Sequence, residues 1–242
     1  MQPWIAVLAA LTGYLVGAIS FSRIITRLVN PQADLSSVSI PVEGLDEQFK
    51  MTAMGGSTAG MVLGPRVGCF IGLLDMLKVA IPTLVFKIIL PEQPYFLIVA
   101  IAGMVGHDWP VYYGFKGGRG ISAVYGGMLA IDWQGALVTS VGGMLLGMVV
   151  FRDFAIAYLS GLWLLIPWMW FRWHNFYYLA YAIIINLLFT LAMLPEIKEI
   201  IRLRRLMGGK GSMASMMEYT PMGKSMMNIA RRLRIMKDPA PK

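Results

Sequence analysis

Long apolar runs separated by short polar breaks organise this chain. A helix needs about 20 mostly apolar residues to cross a bilayer, and the runs from Trp4 to Ile25, Val67 to Leu90 and Phe176 to Leu194 have that character. The first lacks a basic leader and a clear cleavage-site pattern, so it reads as a retained helix. Pro91, Glu92, Gln93 and Pro94 close the second run in a tight loop. Tyr95 to Val105 and Ile121 to Ile131 are shorter and flank a polar segment, His107 to Gly120. Non-helical backbone at membrane depth is tolerated only where protein or a water-filled cavity surrounds it. The pattern therefore implies short or re-entrant helices around a polar cavity. Past a break at Asp132, Trp133 and Gln134 come Gly135 to Phe151 and Phe154 to Trp170. The expectation is an all-α, polytopic transmembrane bundle of about seven helices, with Gly126, Gly127, Gly142, Gly143 and Gly147 marking close helix packing.

Composition supports a membrane protein. Of 242 residues, 57% are hydrophobic and 14% charged, against about 25% charged in average soluble domains. So little charge cannot cover a water-exposed surface, which excludes a soluble α/β enzyme, a coiled coil and a disordered chain. The net charge of +8 is concentrated at the end: from Glu196 onward stand eleven bases and four acids. Beside a hydrophobic segment such a tail marks the cytoplasmic side and its anionic lipids rather than nucleic acid. With the N terminus outside, Arg23, Arg27, Lys50 and Arg66 flank the first inner loop, Lys116 and Arg119 the second, and Arg152 the third. Only Arg172 and His174 depart from the positive-inside pattern. In the tail, Met222, Met226, Ile229, Leu233 and Met236 share one face of a possible interfacial helix from Pro221 to Met236. Cys69 has no partner for a disulfide or a Cys-ligated zinc site, and His107 and His174 offer no metal-ligand spacing, so metal chemistry through nitrogen ligands is not expected.

The chemistry concentrates in H-D-W-P-V-Y-Y-G-F-K-G-G-R-G, His107 to Gly120. Gly114, Gly117, Gly118 and Gly120 bracket Lys116 and Arg119. Glycine allows positive φ and close backbone approach, so consecutive amides can converge on one anion. Lys116 adds a point charge and Arg119 a planar fork, and the helix beginning after Gly120 adds free amides. A phosphate cradle accounts for this glycine density better than a simple basic loop. Asp75 and Lys78, three residues apart on one helix face, can neutralise each other and should face the bundle interior, either as a structural pair or bordering the cavity. Gly55 to Gly60, with Ser57 and Thr58, and then Arg66 form a plausible second wall for an anionic ligand. His107 is the nearby imidazole, fitted either to take a hydroxyl proton or to fix the loop by a hydrogen bond.

The run from Gly106 to Gly120 resembles the G-H-x-x-P-x-x-x-x-F-K-G-G-K-G motif of the PlsY family, the membrane glycerol-3-phosphate acyltransferases that use acyl phosphate. L-L-D-M-L-K with Pro82 is similar to that family's L-L-D-x-L-K-G-x-x-P, and G-A-I-S-F-S from Gly17 to its G-S-I-P-F-G. The resemblance implies an integral membrane bundle that transfers an acyl group from acyl phosphate to the 1-hydroxyl of glycerol 3-phosphate, releasing lysophosphatidate and phosphate without a cofactor. Its partners would be those two substrates and membrane lipids. It implies catalytic roles for Ser57 and His107, and substrate binding by Arg66, Lys78, Gly114, Lys116, Gly117, Gly118, Arg119, Gly120 and Ser122.

The family's first motif, roughly G-S-G-N-x-G-A-T-N-x-x-R, survives here in altered form. Counting back from Asp75 pairs its A-T-N with Gly56, Ser57 and Thr58 and its Arg with Met61. Matching G-S directly instead selects Gly56, Ser57 and, with one deletion, Arg66. The family's late His and Asn are absent from M-L-P-E-I-K-E-I-I-R-L-R-R. A transporter or altered relative that binds a phosphate-bearing metabolite or lipid would keep the same loop. The expected organisation is a transmembrane acyltransferase-like domain, 1–195, and a basic cytoplasmic tail, 196–242. The protein would then be a multi-pass protein of the cell's inner membrane, N terminus outside and C terminus in the cytoplasm.

Overall fold

The structure, a computed structural model, describes residues 1–36, 38–41, 47–151 and 154–206. The expected tail helix from Pro221 and the inner-loop Arg152 lie outside the described residues. Helices α1 (Pro3–Gly17) and α2 (Phe21–Val29) are followed by strands β1 (Ser39–Pro41) and β2 (Gln48–Lys50). Then come α3 (Gly56–Leu63), α4 (Pro65–Ile89), α5 (Tyr95–Asp108), a 3₁₀ turn at Val111–Tyr113, α6 (Ile121–Leu145), a π turn at Leu146–Phe151, α7 (Phe154–Trp173) and α8 (Phe176–Leu206). The two strands pair antiparallel, Ile40 opposite Phe49. Four helical stretches among the described residues are long and apolar enough to cross a bilayer: Pro3–Val29, Pro65–Ile89, Ile121–Phe151 and Phe176–Leu203.

The helical expectation holds, with three differences that matter for the site. The first run is broken at Ala18–Ser20 rather than continuous to Ile25. Ser20 opens α2 in an extended conformation, and the carbonyl of Ile19 accepts from Lys78 Nζ at 2.6 Å. The cation that binds this carbonyl stabilises the break, while the Ser20 hydroxyl shares a hydrogen bond with that of Ser22 and does not cap α2. The segment after Gly55 forms the short helix α3 where a loop was expected. Last, α8 passes through Pro195 and continues to Leu206, carrying Glu196 into the protein.

Small residues let the helices approach closely, as membrane packing favours. A Cβ on Gly13 would strike the Val99 backbone, and one on Gly17 the Gly103 backbone, so α1 lies directly on α5. The same closeness joins α6 to α4 at Gly126 and Met76, and α6 to α7 at Gly143 and Gly161. Gly142 is an exception, making only ordinary contact with Leu164. Phe70, Leu73, Ile81 and Ile88 of α4 are exposed, while Ile71, Asp75, Lys78 and Val79 are buried. The apolar side thus meets lipid and the charges turn inward, where their cost is lowest.

The polar break at Asp132 is a built kink. Asp132 leaves helical geometry (φ −154°, ψ 89°), and its Oδ1 accepts from Gly135 N at 3.1 Å, capping the second half of α6. Oδ2 accepts from Trp168 Nε1 at 2.9 Å. On the other side, Lys87 Nζ donates to the carbonyls of Ala130 and Ile131 at 3.0 and 2.8 Å, closing the first half. Lys87→Met removes the donor to both carbonyls at the kink and should cost about 1 to 3 kcal/mol. Lys87→Arg should recover most of that loss. Thermal unfolding in detergent reads both.

Candidate active site

The site starts from a buried ion pair. Asp75 and Lys78 sit one helical turn apart on α4, with Lys78 Nζ 2.8 Å from Asp75 Oδ1 and both side chains 3% exposed. The same ammonium caps Ile19, so one side chain joins α4 to the α1–α2 break. Across from them His107, in the last turn of α5, places Nδ1 3.7 Å from Asp75 Oδ1. That separation is longer than a hydrogen bond. His107 Nδ1 is buried without a hydrogen-bond partner among the described residues. Ser20, Ser22, Met54, Asp75, Lys78, His107 and Pro110 line a narrow crevice beside it.

The glycine-rich loop folds over this imidazole. Gly114 (φ 60°), Phe115 (φ 59°) and Gly120 (φ 77°) are left-handed, which turns the chain back toward α6. Gly118 donates its amide to the His107 carbonyl at 3.1 Å, and the Gly117 carbonyl accepts from Met54 N at 2.9 Å. A Cβ on Gly118 would land on the His107 ring, and one on Gly117 on the His107 carbonyl and Pro110. These two glycines therefore serve close packing. The amide of Gly118 is engaged within the protein and does not face an anion.

The loop's cations divide. Lys116 is exposed, and its carbonyl accepts from Arg23 Nη2 at 2.7 Å. Arg23 also stacks 4.5 Å above the Tyr113 ring. Arg119 turns the other way and pairs with Glu196 of α8 and with the Thr52 hydroxyl. That hydroxyl donates to Glu196 Oε1 at 2.7 Å. Asp108, the residue after His107, is buried against Gly120, both carboxylate oxygens unpartnered among the described residues.

The remaining expected residues form a flank. Ser57, exposed, is the second residue of α3, and the preceding Gly55 faces Gly118. The first amide of that helix with a backbone partner is Ala59, so those of Gly56, Ser57 and Thr58 have no partner within the helix. Gly56 packs on Gly68 and Gly72 of α4, and a side chain at Gly72 would meet Ser122 Oγ, which brings Ser122 to the same wall. Arg66 is not gathered there. It is exposed in the first turn of α4, near the far end of α3, where Gly60 meets Pro65 and Gly68. Six residues of helix, about 9 Å, separate it from Gly72.

Arg23, Thr52 and Glu196 bond to residues of the candidate loop, and sequence reasoning passed over them. Arg23 reads as a flanking topological charge and Thr52 as a loop residue. The available signal for Glu196 is an acid placed directly at the end of an apolar run, where lipid exposure would be costly.

Comparison with known proteins places this architecture. The family model described as glycerol-3-phosphate acyltransferase matches residues 7–206. Glycerol-3-phosphate acyltransferase 1 of Oceanobacillus iheyensis is 28% identical over 162 residues, 64% of this chain and 72% of that protein. The glycerol-3-phosphate acyltransferase of Pseudothermotoga lettingae is 32% identical over 125 residues, 52% of this chain and 56% of the relative. The crystal structure of PlsY, an integral membrane glycerol 3-phosphate acyltransferase, in its glycerol 3-phosphate form superposes with a TM-score of 0.67 at 25% identity, covering 85% of this chain and 94% of that one. With the cleft, the glycine loop and the buried pair in one helical bundle, the chain is a membrane enzyme of the glycerol-3-phosphate acyltransferase family.

Proposed function

We propose that the protein transfers the acyl group of an acyl phosphate to the 1-hydroxyl of glycerol 3-phosphate, releasing lysophosphatidate and inorganic phosphate. The observation that carries this reading is His107. Its ring stands between the buried Asp75–Lys78 pair, which its unpartnered Nδ1 faces, and the glycine loop, which lies against Nε2. The similar PlsY structure is a glycerol 3-phosphate form, and both substrates proposed here are phosphate-bearing anions. Lys78, Lys116 and Arg119 supply charge, the open amides at Ser57 supply donors, and Gly114, Gly117, Gly118, Gly120 and Ser122 shape the loop and wall between them.

In the reaction, the C1 hydroxyl oxygen attacks the acyl carbonyl carbon and the carbon–oxygen bond to phosphate breaks. The hydroxyl proton passes to the His107 imidazole, Asp75 on the Nδ1 side stabilises the resulting imidazolium, and phosphate leaves with the bond pair. Acyl phosphate is already activated, so positioning and charge stabilisation supply most of the rate without an acyl-enzyme intermediate. Purified protein supplied with labelled glycerol 3-phosphate and either acyl phosphate or an acyl thioester tests the donor. Labelled lysophosphatidate should form with acyl phosphate, and formation with the thioester alone would replace the donor.

The basic loops favour an orientation with the active site on the cytoplasmic side, the N terminus outside and the basic segment after residue 195 inside. In a Cys69→Ser background, a cysteine at the exposed position of Tyr112 should resist a membrane-impermeant thiol reagent in intact cells. It should react after permeabilisation. Labelling from outside would reverse the orientation.

A further inference from the structure

We propose that Glu196 receives a hydroxyl of the acceptor substrate and so selects a phosphate ester that carries one. The inference rests on the glycerol 3-phosphate reading above and deepens it. Glu196 is 6% exposed, although it lies near the end of α8. Its Oε1 is saturated: the Thr52 hydroxyl donates to it at 2.7 Å, and Arg119 Nη2 pairs with it. Its Oε2 is buried with no hydrogen-bond partner among the described residues. On the neighbouring guanidinium, Nη1 donates to the Gly118 carbonyl at 3.3 Å, while Nε is likewise buried and unpartnered.

Buried polar atoms are almost always satisfied, and leaving one unmet costs its full desolvation. Here an unfilled acceptor and an unfilled donor belong to two side chains already locked together by a third. A ligand that satisfies both must present an anionic oxygen to Arg119 Nε and a hydroxyl hydrogen to Glu196 Oε2. A fully ionised alkyl phosphate, which carries no hydroxyl, meets the first need only. A hydroxylated phosphate ester meets both, and Arg119, lying between carboxylate and phosphate, screens their repulsion. Thr52 fixes the carboxylate rotamer, so the acceptor is oriented before substrate arrives.

Glu196 thereby takes a place in a late segment where the resembling family carries a His and an Asn that this chain lacks. A site built to hydrogen-bond a substrate hydroxyl rejects the analogue lacking it more strongly than an apolar pocket can.

The test is equilibrium binding of glycerol 3-phosphate and of propyl phosphate, which has no hydroxyl, to the purified full chain in nanodiscs. Wild type should favour glycerol 3-phosphate by at least about tenfold. Glu196→Gln must turn its carbonyl to Arg119 and Thr52, which leaves an NH₂ where Oε2 stood. The preference should fall to within about twofold, with propyl phosphate binding little changed. If Glu196→Gln fails to fold, Glu196→Asp keeps the charge but withdraws Oε2, and should lose the preference likewise. A folded variant of either kind that keeps the wild-type preference overturns the role of Glu196 while leaving the phosphate site intact. Equal wild-type binding of both esters also overturns it. Failure of wild type to bind either ester overturns the glycerol 3-phosphate reading itself, and this inference with it.

Discussion

Replacing Gly118 by alanine should lower the acyl-transfer rate on the order of a hundredfold in a protein that still folds. The added Cβ falls on the His107 imidazole, and little around the ring can give way. The His107 carbonyl is held by the Gly118 amide at 3.1 Å, and the far side of the ring faces Asp75, itself held by Lys78. The ring must therefore tilt away from the hydroxyl it serves, and a displacement of about 1 Å at a reacting group costs that much rate. The strain on folding is about 1 to 3 kcal/mol for an overpacked site. Gly114→Ala provides the comparison. Gly114 is left-handed with open space around its missing Cβ, so alanine there costs about 1 to 2 kcal/mol of backbone strain and leaves His107 untouched. Initial rates and melting temperatures of the two variants should separate. A Gly118→Ala enzyme with near wild-type turnover would remove His107 from the chemistry.

The largest stability effect is expected at Lys78. Lys78→Met preserves most of the side-chain volume but strands the Asp75 carboxylate, 2% exposed, in the bundle, and frees the Ile19 carbonyl. Removing one partner of a buried ion pair typically costs about 3 to 5 kcal/mol, much of it from the charge left behind. Adding Asp75→Asn removes that charge, so the double variant should be more stable than Lys78→Met alone, with a coupling of about 2 kcal/mol. Denaturant unfolding in mixed micelles measures the cycle. Simple additivity would mean that the pair is solvated in the native protein and that the cleft is wetter than its geometry implies.

Much of the fold was legible because lipid imposes simple rules. Apolar length located the long helices, and Asp132 declared the break in α6 because an acid amid so many apolar residues must bind something. The break at Ala18–Ser20 was far less visible. Its residues suit a helix almost as well as a turn, and what stabilises it is Lys78, 59 positions later in the chain. Helix α3 is short and glycine-rich, and forms through its contact with Gly68 and Gly72, so its own sequence reads as a loop.

The site was legible in composition but not in the use of its parts. Glycine density at Gly117 and Gly118 pointed to close approach, yet what approaches is the protein's own imidazole as much as any anion. Arg119 was visible as a cation, whereas its partner Glu196 is 77 residues away and faces inward only because α8 continues past Pro195.

The central claim is that this bundle moves an acyl group from acyl phosphate to glycerol 3-phosphate with His107 taking the hydroxyl proton. Release of inorganic phosphate from acyl phosphate by the purified protein, with and without glycerol 3-phosphate, tests it most directly. Phosphate should appear in step with lysophosphatidate only when glycerol 3-phosphate is present, and should fall to background in His107→Ala. Phosphate release that ignores glycerol 3-phosphate, or full activity in His107→Ala, would contradict the account.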